Sequence, residues 1–529
     1  MADRPPVSLT IDGVEVTVPA GTMILEAAKL AGVLVPHYCY HPGLPIAGVC
    51  RMCLVEIEGA PKLQIGCATP VAEGQSVLVN RSEEAKRARQ GVLEFLLIHH
   101  PLDCPICDQA GECELQDYVF QEGQARTRYS PQFPKRFNPV EDFGGDVLYV
   151  PNRCILCTRC VRFMDHVADE AVLNVSERGD RAFIGIHPDR ELDHPWSGNV
   201  VDLCPVGSLI SKDFLHKARA WELDKTPSIC TGCSQGCNVN LESRSPSVVR
   251  VKPRSNLDVN RYFMCDHGRL TYRAMNRGDR IEAPLVSDQG HLMAVDWDHA
   301  LARAAEVVKA ASGRAVALVS PSTSNEALYL LQQVVRSLET TAAFRVERAA
   351  SEIPLPGVPG LALREERAPN AAGARLLGFS EEFDAAASEV DSAALVIVLG
   401  DDLRGLESDA LSLAARVIYL GTALPDLART ADVVLPVANT AEEEGTFINC
   451  DGRVQRYFQA KPAPGMARPA WWVFAELMHE LDIAEPLSGA AEAFEQLAAS
   501  VPSFEGLSYE VLGLRGAELT AAKTARVGR

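Results

Sequence analysis

The sequence predicts a multidomain protein of mixed α+β and α/β class, with a cysteine-rich first half and a parallel α/β second half. Its 529 residues exceed a single core, because domains commonly hold about 150 residues. Of its 16 cysteines, 15 lie between Cys39 and Cys265. Beyond Cys265, short apolar runs alternate with helix-like segments, which is typical of a parallel sheet. We therefore expect two halves with different architectures.

Composition and charge exclude several classes of function. Hydrophobic residues make up 47% of the chain and charged residues 23%, which argues against collagen, disorder and a simple coiled coil. The net charge of -19 disfavours binding to nucleic acid or to anionic lipid, because both need basic patches. The longest apolar stretch, residues 393–399, is far shorter than a membrane span, and the N-terminus lacks the apolar core of a secretory signal. We expect a cytoplasmic protein that associates with a membrane only through other proteins.

The cysteines of the first half fall into four sets with short C-x-x-C cores. In a cytosolic protein such sets are metal sites more often than disulfides, because thiols are kept reduced. One set has only three cysteines, with a histidine four residues ahead of the first. The sets are Cys39, Cys50, Cys53 and Cys67; His100, Cys104, Cys107 and Cys113; Cys154, Cys157, Cys160 and Cys204; and Cys230, Cys233, Cys237 and Cys265. Fifteen thiols and one imidazole thus make four sets of four donors.

The spacing within the sets favours iron-sulfur clusters over zinc. Zinc also binds four thiolates, or three thiolates and one imidazole, on C-x2-C cores. Three close thiolates with a more distant fourth donor instead suit a cubane, whose iron corners need separate donors from one wrapping loop. Cys204 also precedes Pro205, as in bacterial ferredoxin motifs. A zinc-stapled assembly scaffold is the alternative.

The first region has the pattern of a small β domain. Residues 7–11 and 14–18 alternate between apolar and polar side chains and are joined by Asp12 and Gly13, which predicts a β-hairpin. A helix is predicted over residues 22–30, and the first cysteine loop follows it. This order resembles a ferredoxin-like β-grasp domain that holds a 2Fe-2S cluster. The first gap of ten residues, against four in plant-type ferredoxins, indicates a longer-loop relative.

A predicted helix that begins at Ser82 leads to the second set. It ends near His99 and His100, and three cysteines without a fourth partner need one more donor. We expect this donor to be His100, with His99, water or an open iron position as alternatives, because residues 100–113 resemble a known histidine-ligated motif. A neutral imidazole in place of a thiolate removes a negative charge and by itself raises the reduction potential of a cluster. Burial and hydrogen bonds to sulfur can offset that change.

The third region and the second half have patterns of their own. Met164 stands where the compact bacterial motif has its fourth cysteine, so the third region resembles a ferredoxin reduced to one 4Fe-4S cubane. In the second half, a helix is predicted over residues 325–338. Buried strands are predicted at residues 315–320, 394–400, 416–421 and 433–437.

The four sets, in this order and spacing, resemble the large iron-sulfur subunit family of bacterial respiratory complex I, the NADH-quinone oxidoreductase. The match is close over residues 8–265, and residues 430–436 and 444–453 resemble the molybdopterin-oxidoreductase-like domain of that family. The resemblance implies one 2Fe-2S cluster at the Cys39 set and three 4Fe-4S clusters. The implied domains are residues 1–80 (2Fe-2S), 81–120 (histidine-ligated 4Fe-4S), 121–222 (4Fe-4S ferredoxin-like) and 223–529 (molybdopterin-oxidoreductase-like).

The resemblance also implies a function and partners. The Cys39, Cys154 and His100 sets would relay electrons from a partner subunit, which holds FMN and NADH, towards quinone. The Cys230 set would lie off that line. The chain would be attached, through other peripheral-arm subunits, to the cytoplasmic side of the bacterial inner membrane. No nucleotide-binding motif is found in the sequence, so we expect no catalytic residue or independent substrate site in this chain.

The second half departs from molybdenum enzymes. It is shortened, and His267 stands where those enzymes usually have a lysine that bridges cluster and pterin. No cysteine lies between Cys265 and Cys450 to ligate molybdenum, so no molybdopterin is expected. The alternative function is a catalytic or iron-sulfur subunit of an NAD-linked formate dehydrogenase; an iron-only hydrogenase is a weaker candidate. Cys450 is expected to be a small buried hydrophobic residue. The acidic residues 442–444 and 401–402 are expected to be solvated.

Overall fold

The computed structural model describes residues 4–130, 137–311, 314–336, 338–401, 406 and 410–519. The chain divides into two units, each with its own core. The first comprises Met1–Glu222 with Leu355–Pro359, and the second comprises Leu223–Pro354 with Gly360–Arg529. Within the described ranges, no helix has the length and apolar character needed to cross a membrane.

The N-terminal part of the first unit is a five-stranded mixed sheet with one helix. Its elements are β1 (Pro6–Ile11), β2 (Val14–Pro19), α1 (Ile24–Leu30), β3 (Leu54–Ile57), β4 (Gln64–Ile65) and β5 (Ser76–Leu78). The strand order is β2-β1-β5-β3-β4, with β1 parallel to β5. Leu9 pairs with Val16 across the hairpin, and Asp12 and Gly13 adopt the positive φ that its turn requires. The predicted β-grasp order is confirmed.

The rest of the first unit consists of short elements joined by the cysteine loops. They are α2 (Glu83–His99), α3 (Glu114–Glu122), β6 (Glu141–Gly144), β7 (Val147–Tyr149), α4 (Arg159–His166), β8 (Leu173–Ser176), β9 (Phe183–Ile186), α5 (Asn199–Leu203) and β10 (Leu209–Ser211). β10, β7 and β6 form one sheet and β8 and β9 another. The Ser82 hydroxyl accepts the Ala85 N–H at 3.0 Å, so α2 begins where the sequence predicts. Because α2 ends at His99, His100 begins the next loop.

The second unit opens with a three-stranded antiparallel sheet that carries the fourth cysteine set. Its elements are β11 (Asp224–Ile229), β12 (Asn238–Arg244), β13 (Ser247–Pro253), α6 (Asp266–Arg269) and α7 (Tyr272–Met275). Cys230 directly follows β11, Cys237 directly precedes β12, and Cys265 caps α6. The hairpin therefore fixes both ends of the short cysteine loop.

A seven-stranded sheet forms the centre of the second unit. This region contains β14 (Leu285–Asp288), β15 (His291–Ala294), α8 (Trp297–Ala310), β16 (Arg314–Val319), α9 (Asn325–Val334), β17 (Glu339–Phe344), β18 (Ile353–Pro354), β19 (Ala362–Leu363), α10 (Ala371–Leu376), α11 (Phe383–Ala387), β20 (Leu395–Leu399), α12 (Ala410–Leu413), β21 (Val417–Gly421) and β22 (Val433–Pro436). The strand order is β15-β14-β22-β21-β20-β16-β17. All pairs from β22 to β17 are parallel, as predicted.

The remaining elements cover one side of that sheet's core, and one predicted helix of the second unit proves shorter than expected. They are β23 (Gly445–Ile448), β24 (Arg453–Tyr457), α13 (Ala470–Glu480), α14 (Ala490–Ser500), α15 (Tyr509–Leu512) and β25 (Ala517–Glu518). The helix predicted over residues 325–338 ends at Val334. It stops early because the chain turns at Val335 and Leu338 to enter the parallel strand β17.

Candidate iron-sulfur sites

The first cysteine set converges in the loop between α1 and β3 and in the turn after β4. The thiols of Cys50 and Cys67 hydrogen-bond to the sulfur of Cys39 and hold its pKa well below the usual range. Cys67 also hydrogen-bonds to Cys53. The Cys39 N–H donates to the Cys50 sulfur at 3.5 Å. The structure therefore brings all four sulfurs of this set together.

The second set is brought together in part. Cys107 and Cys113 are buried, whereas Cys104 is exposed in a 3-10 turn. Burial raises the pKa of Cys113 to about 11, with smaller contributions from the nearby thiols of Cys107 and Cys204. His100 lines a neighbouring cavity of about 540 Å³ together with His99 and Cys154, and the three cysteines of its own set are not among the lining residues. His100 as the fourth donor stays a prediction.

The third set lines one partly open pocket of about 330 Å³. Cys154, Cys157 and Cys160 come from the loop before α4 and its first turn, and Cys204 follows α5. Leu156, between the first two cysteines, has a positive φ, and its N–H donates to the Cys154 sulfur at 3.4 Å. Burial raises the pKa of Cys157 to about 12 and that of Cys204 to about 11. The distant Cys204 thus meets the local triplet, as the sequence predicts.

The fourth set is buried in the second unit. Burial raises the pKa of Cys230 to about 12 and holds the pKa values of Cys237 and Cys265 well above the usual range. A Cβ added at Gly268 would lie 2.8 Å from the Cys230 sulfur. The Gly268 N–H donates to the Cys265 sulfur at 3.4 Å. Only glycine leaves room for these sulfurs at this point.

The donor chemistry of the sets fits iron-sulfur clusters. Four thiolates in one buried pocket repel each other and lose hydration, so they require the positive charge of bound metal. Backbone N–H groups that point at the sulfurs supply hydrogen bonds of the kind that tune cluster potentials. A Cβ at Gly207 would lie only 2.1 Å from the Cys107 sulfur, so the backbone passes very close to this sulfur. In the part of the chain that the structure describes, no three His, Cys, Asp or Glu side chains are grouped to hold a single metal ion.

Two buried arginines connect the loops of the first unit, and sequence reasoning missed both. Arg162 donates to the carbonyl of Cys39 at 2.5 Å and to that of Cys157 at 3.2 Å. Arg159 donates to the carbonyl of Tyr40 at 2.8 Å and to the carboxylate of Glu114, next to Cys113, at 3.0 Å. The sequence signal that could have identified them is the position of both arginines beside the cysteines of the third set.

The loops of the third set contact those of both other sets in the first unit. Arg162 connects it to the first set, as described above. On the other side, the N–H of Glu114 donates to the carbonyl of Pro205 at 2.9 Å, directly beside Cys113 and Cys204. The thiols of Cys113 and Cys204 are also near enough to affect each other's charge. The three sets of the first unit are therefore neighbours of one another.

Two predictions about the second unit are wrong. Cys450 is exposed, because it lies in the turn of the hairpin between β23 and β24. Glu442 and Glu443 are buried, because Arg280 pairs with Glu442 and the Tyr457 hydroxyl donates to Glu443 at 2.8 Å. Residue 401 is half-buried; residue 402 lies outside the described residues.

Family models match successive parts of the chain. The matches are a 2Fe-2S iron-sulfur cluster binding domain at residues 4–82, the NADH-ubiquinone oxidoreductase-G iron-sulfur binding region at 89–128, the NADH-quinone oxidoreductase subunit 3 ferredoxin-like domain at 144–210, the molybdopterin oxidoreductase Fe4S4 domain at 223–277, and molybdopterin oxidoreductase at 280–408 and 370–480. The NADH-quinone oxidoreductase-G protein of Rickettsia felis is 39% identical over 333 residues, which are 63% of this chain and 49% of that protein. Over these 333 residues the chain is similar to the large iron-sulfur subunit of NADH-quinone oxidoreductase.

Relatives from mitochondria show the same partial match. The NADH-ubiquinone oxidoreductase 78 kDa subunit of Candida albicans is 41% identical over 335 residues, 63% of this chain and 46% of that protein. The NADH dehydrogenase [ubiquinone] iron-sulfur protein 1 of Solanum tuberosum is 44% identical over 303 residues, 57% of this chain and 40% of that protein. The chain thus spans about half the length, or less, of these curated relatives of the large iron-sulfur subunit.

One solved structure shares sequence with part of the chain. It is a chain of an NAD+-reducing NiFe hydrogenase in its H2-reduced state, which is 32% identical with a TM-score of 0.36. The match covers 40% of this chain and 90% of that one.

Proposed function

We propose that the chain is an electron-relay subunit of a respiratory NADH:quinone oxidoreductase, which passes electrons from a flavin-bearing partner towards quinone. The direct contact between the loops of the three cysteine sets in the first unit is the observation that carries this proposal. Electron tunnelling falls off exponentially with distance, so a relay needs its centres held side by side. The carbonyl contacts of Arg162 and the contact of Glu114 with Pro205 bring the loops of adjacent sets into direct contact.

We propose the ligands as the sequence predicts them. Cys39, Cys50, Cys53 and Cys67 hold the 2Fe-2S cluster, and the other three sets hold one 4Fe-4S cluster each. Each cluster, when bound, accepts and releases one electron. The chain's own residues supply thiolates, donate backbone hydrogen bonds to sulfur and exclude water, which together set position and potential.

FMN and NADH are assigned to a partner subunit in this proposal, and the other partners are the peripheral-arm subunits that lead to quinone. Attachment to the cytoplasmic side of the inner membrane would occur through these partners. The four domains proposed from the sequence, with boundaries after residues 80, 120 and 222, each hold one cysteine set. We propose no molybdopterin in the last domain, because His267, in place of the bridging lysine, packs against Gly232 in the loop of the fourth set.

Removing one thiol from the third set tests the proposal in the assembled enzyme. Cys157→Ser should delete one 4Fe-4S signal in low-temperature electron paramagnetic resonance and block electron flow from NADH to quinone. Cys450→Ser is the matched control, because this exposed cysteine lies outside the four sets, and it should change neither readout. Full flow in the Cys157→Ser enzyme would exclude its cluster from the relay. Molybdenum in the purified wild type, with oxidation of formate, would instead support a formate dehydrogenase.

A further inference from the structure

The guanidinium of Arg162 joins two cysteine sets of the first unit. Arg162 lies in α4, two residues after Cys160, and is only 8% exposed. One of its nitrogens, Nη2, donates both to the carbonyl of Cys39 at 2.5 Å and to the carbonyl of Cys157 at 3.2 Å. Cys39 belongs to the first set and Cys157 to the third. A single nitrogen atom therefore contacts one residue of each set.

The other nitrogens of Arg162 hold the same two loops. Nη1 donates to the carbonyl of Pro45, in the loop of the first set. Nε donates to the carbonyl and to the hydroxyl of Thr158, both at 3.2 Å, in the loop of the third set. Thr158 has a φ of +60°, which is an unusual conformation for a β-branched residue, so these bonds help to hold the turn. The planar fork of arginine suits this task, because its five N–H donors point in fixed directions.

The positive charge of Arg162 is not balanced by a carboxylate of the described residues. Its hydrogen bonds there go to backbone carbonyls and to the Thr158 hydroxyl. Arg159, the other buried arginine of α4, instead pairs with Glu114 at 3.0 Å. Arginine stays charged in proteins, and a buried charge without a counterion is costly. Arg162 therefore requires an anionic partner that Arg159 already has.

The sulfurs of the cysteine sets are near enough to be that partner. Burial lowers the pKa of Arg162, and the thiols of Cys157, Cys39 and Cys160 oppose that change. Under the proposed function these thiols are deprotonated ligands of two clusters. A thiolate-ligated cluster gains one further negative charge on reduction, so a nearby cation favours its reduced form. A cation shared by two sets favours reduction at both of them.

We propose that Arg162 is a positioning residue of the electron relay, which fixes the first and third sets side by side through the carbonyls of Cys39 and Cys157 and raises the reduction potentials of both clusters together. This inference rests on the proposed function, since it concerns the clusters assigned there. A cation beside only one set would raise one potential and create an energy step between the two centres. The shared position of Arg162 keeps the two potentials in step.

Anaerobic redox titration of the cluster-loaded full chain, followed by low-temperature electron paramagnetic resonance, tests the proposal without measuring turnover. Arg162→Gln removes the charge but keeps a side chain that can donate to a carbonyl. It should shift the redox equilibria of the first-set and third-set clusters towards the oxidised form by about tenfold each, which is about 59 mV for one electron. The second-set cluster should shift less, because none of its proposed ligands hydrogen-bonds to Arg162 within the described residues.

Two further variants separate the charge from the hydrogen bonds and from general effects. Arg162→Lys keeps the charge but loses the planar fork, so both redox equilibria should stay within about twofold of wild type. A purely structural role would instead make the lysine and glutamine variants behave alike. Arg190→Gln is the matched control in the same unit. The Arg190 side chain is 56% exposed and paired with Glu170, so solvent screens its charge and neither potential should change.

The proposal would be overturned by wild-type potentials of both clusters in Arg162→Gln, or by a shift confined to one of them. Iron content and resonance intensity would check that each variant keeps its clusters. If Arg162→Gln loses them, Arg162→Lys decides, because a shift of about tenfold in a variant that keeps the charge would contradict the proposal. These outcomes leave the relay itself untouched, since Cys157→Ser tests it separately. A wild-type chain without iron-sulfur signals would instead contradict the proposed function.

Discussion

The buried carboxyl of Glu443 should make the stability of the second unit fall as pH rises. Burial raises its pKa from the ordinary 4.5 to about 8. At pH values between these two, the folded state therefore keeps a proton on Glu443 that the unfolded state has already released. The stabilisation from this proton is complete below the pKa of Glu443 in the unfolded state. It is lost as pH rises through the pKa of Glu443 in the folded state. The full shift corresponds to about 5 kcal/mol, of which about 3 kcal/mol should be lost between pH 5.5 and 8.

The substitution Glu443→Gln isolates this effect. Glutamine keeps the shape and can still accept the Tyr457 hydroxyl, but it does not titrate. The side-chain NH2 group of the glutamine has no hydrogen-bond partner there, which costs about 1 kcal/mol at every pH. The variant should therefore be about as stable as wild type at pH 5.5, where wild type has already lost about 1.4 kcal/mol, and about 3.5 kcal/mol more stable at pH 8.5. Glu326 also titrates in both proteins, since burial raises its pKa to about 7, and its charge contributes to the raised pKa of Glu443.

Denaturant unfolding of the full chain, followed by tryptophan fluorescence, would measure the difference. Trp297, Trp471 and Trp472 report on the second unit. The comparison should be made at pH 5.5, 7 and 8.5, on wild type, Glu443→Gln and the exposed control Glu495→Gln. The control should follow wild type. A stability difference between wild type and Glu443→Gln that does not change with pH would refute the argument.

Three further substitutions test the cluster sites. Cys233→Ser should mainly reduce assembly and stability, because metal binding and folding are coupled, and an intact, stable complex without that cluster would contradict this. Gly207→Ala should abolish the cluster of the second set, because its Cβ would strike a ligand sulfur; Gly91→Ala, whose Cβ meets open space, should have no effect in the same iron and resonance assay. His100→Ala should remove or alter one 4Fe-4S signal while His99→Ala leaves it intact; the reverse result would transfer the ligand role to His99.

Local patterns in the sequence were enough to predict the regular parts of the fold. The hairpin around Asp12 and Gly13 follows from alternation and turn chemistry, which act between near neighbours. The four buried parallel strands follow from apolar runs that have nowhere to lie except in a covered sheet. The ligand sets also follow from spacing, since a short C-x-x-C loop must place its thiols on one side.

Contacts that depend on packing between distant segments could not be predicted. Arg162 looks like a surface residue of a short helix until the loop that carries Cys39 covers it. Glu443 looks like a solvated acid until Tyr457, on the next strand, and the helix that begins at Ala470 enclose it. Cys450 was misjudged for the opposite reason, because a hairpin turn keeps it at the surface. In each case the exposure of the side chain depends on contacts, or their lack, with a segment that sequence periodicity does not identify.

The central claim is that the cysteine sets hold redox-active iron-sulfur clusters, and metal analysis of anaerobically purified protein tests it most directly. Iron, acid-labile sulfide, zinc and molybdenum should be measured beside low-temperature electron paramagnetic resonance of the reduced protein. One 2Fe-2S and three 4Fe-4S clusters predict about 14 iron and about 14 sulfide per chain, with resonance signals of both cluster types. About four zinc atoms per chain, with no sulfide and no signal after reconstitution, would contradict the account.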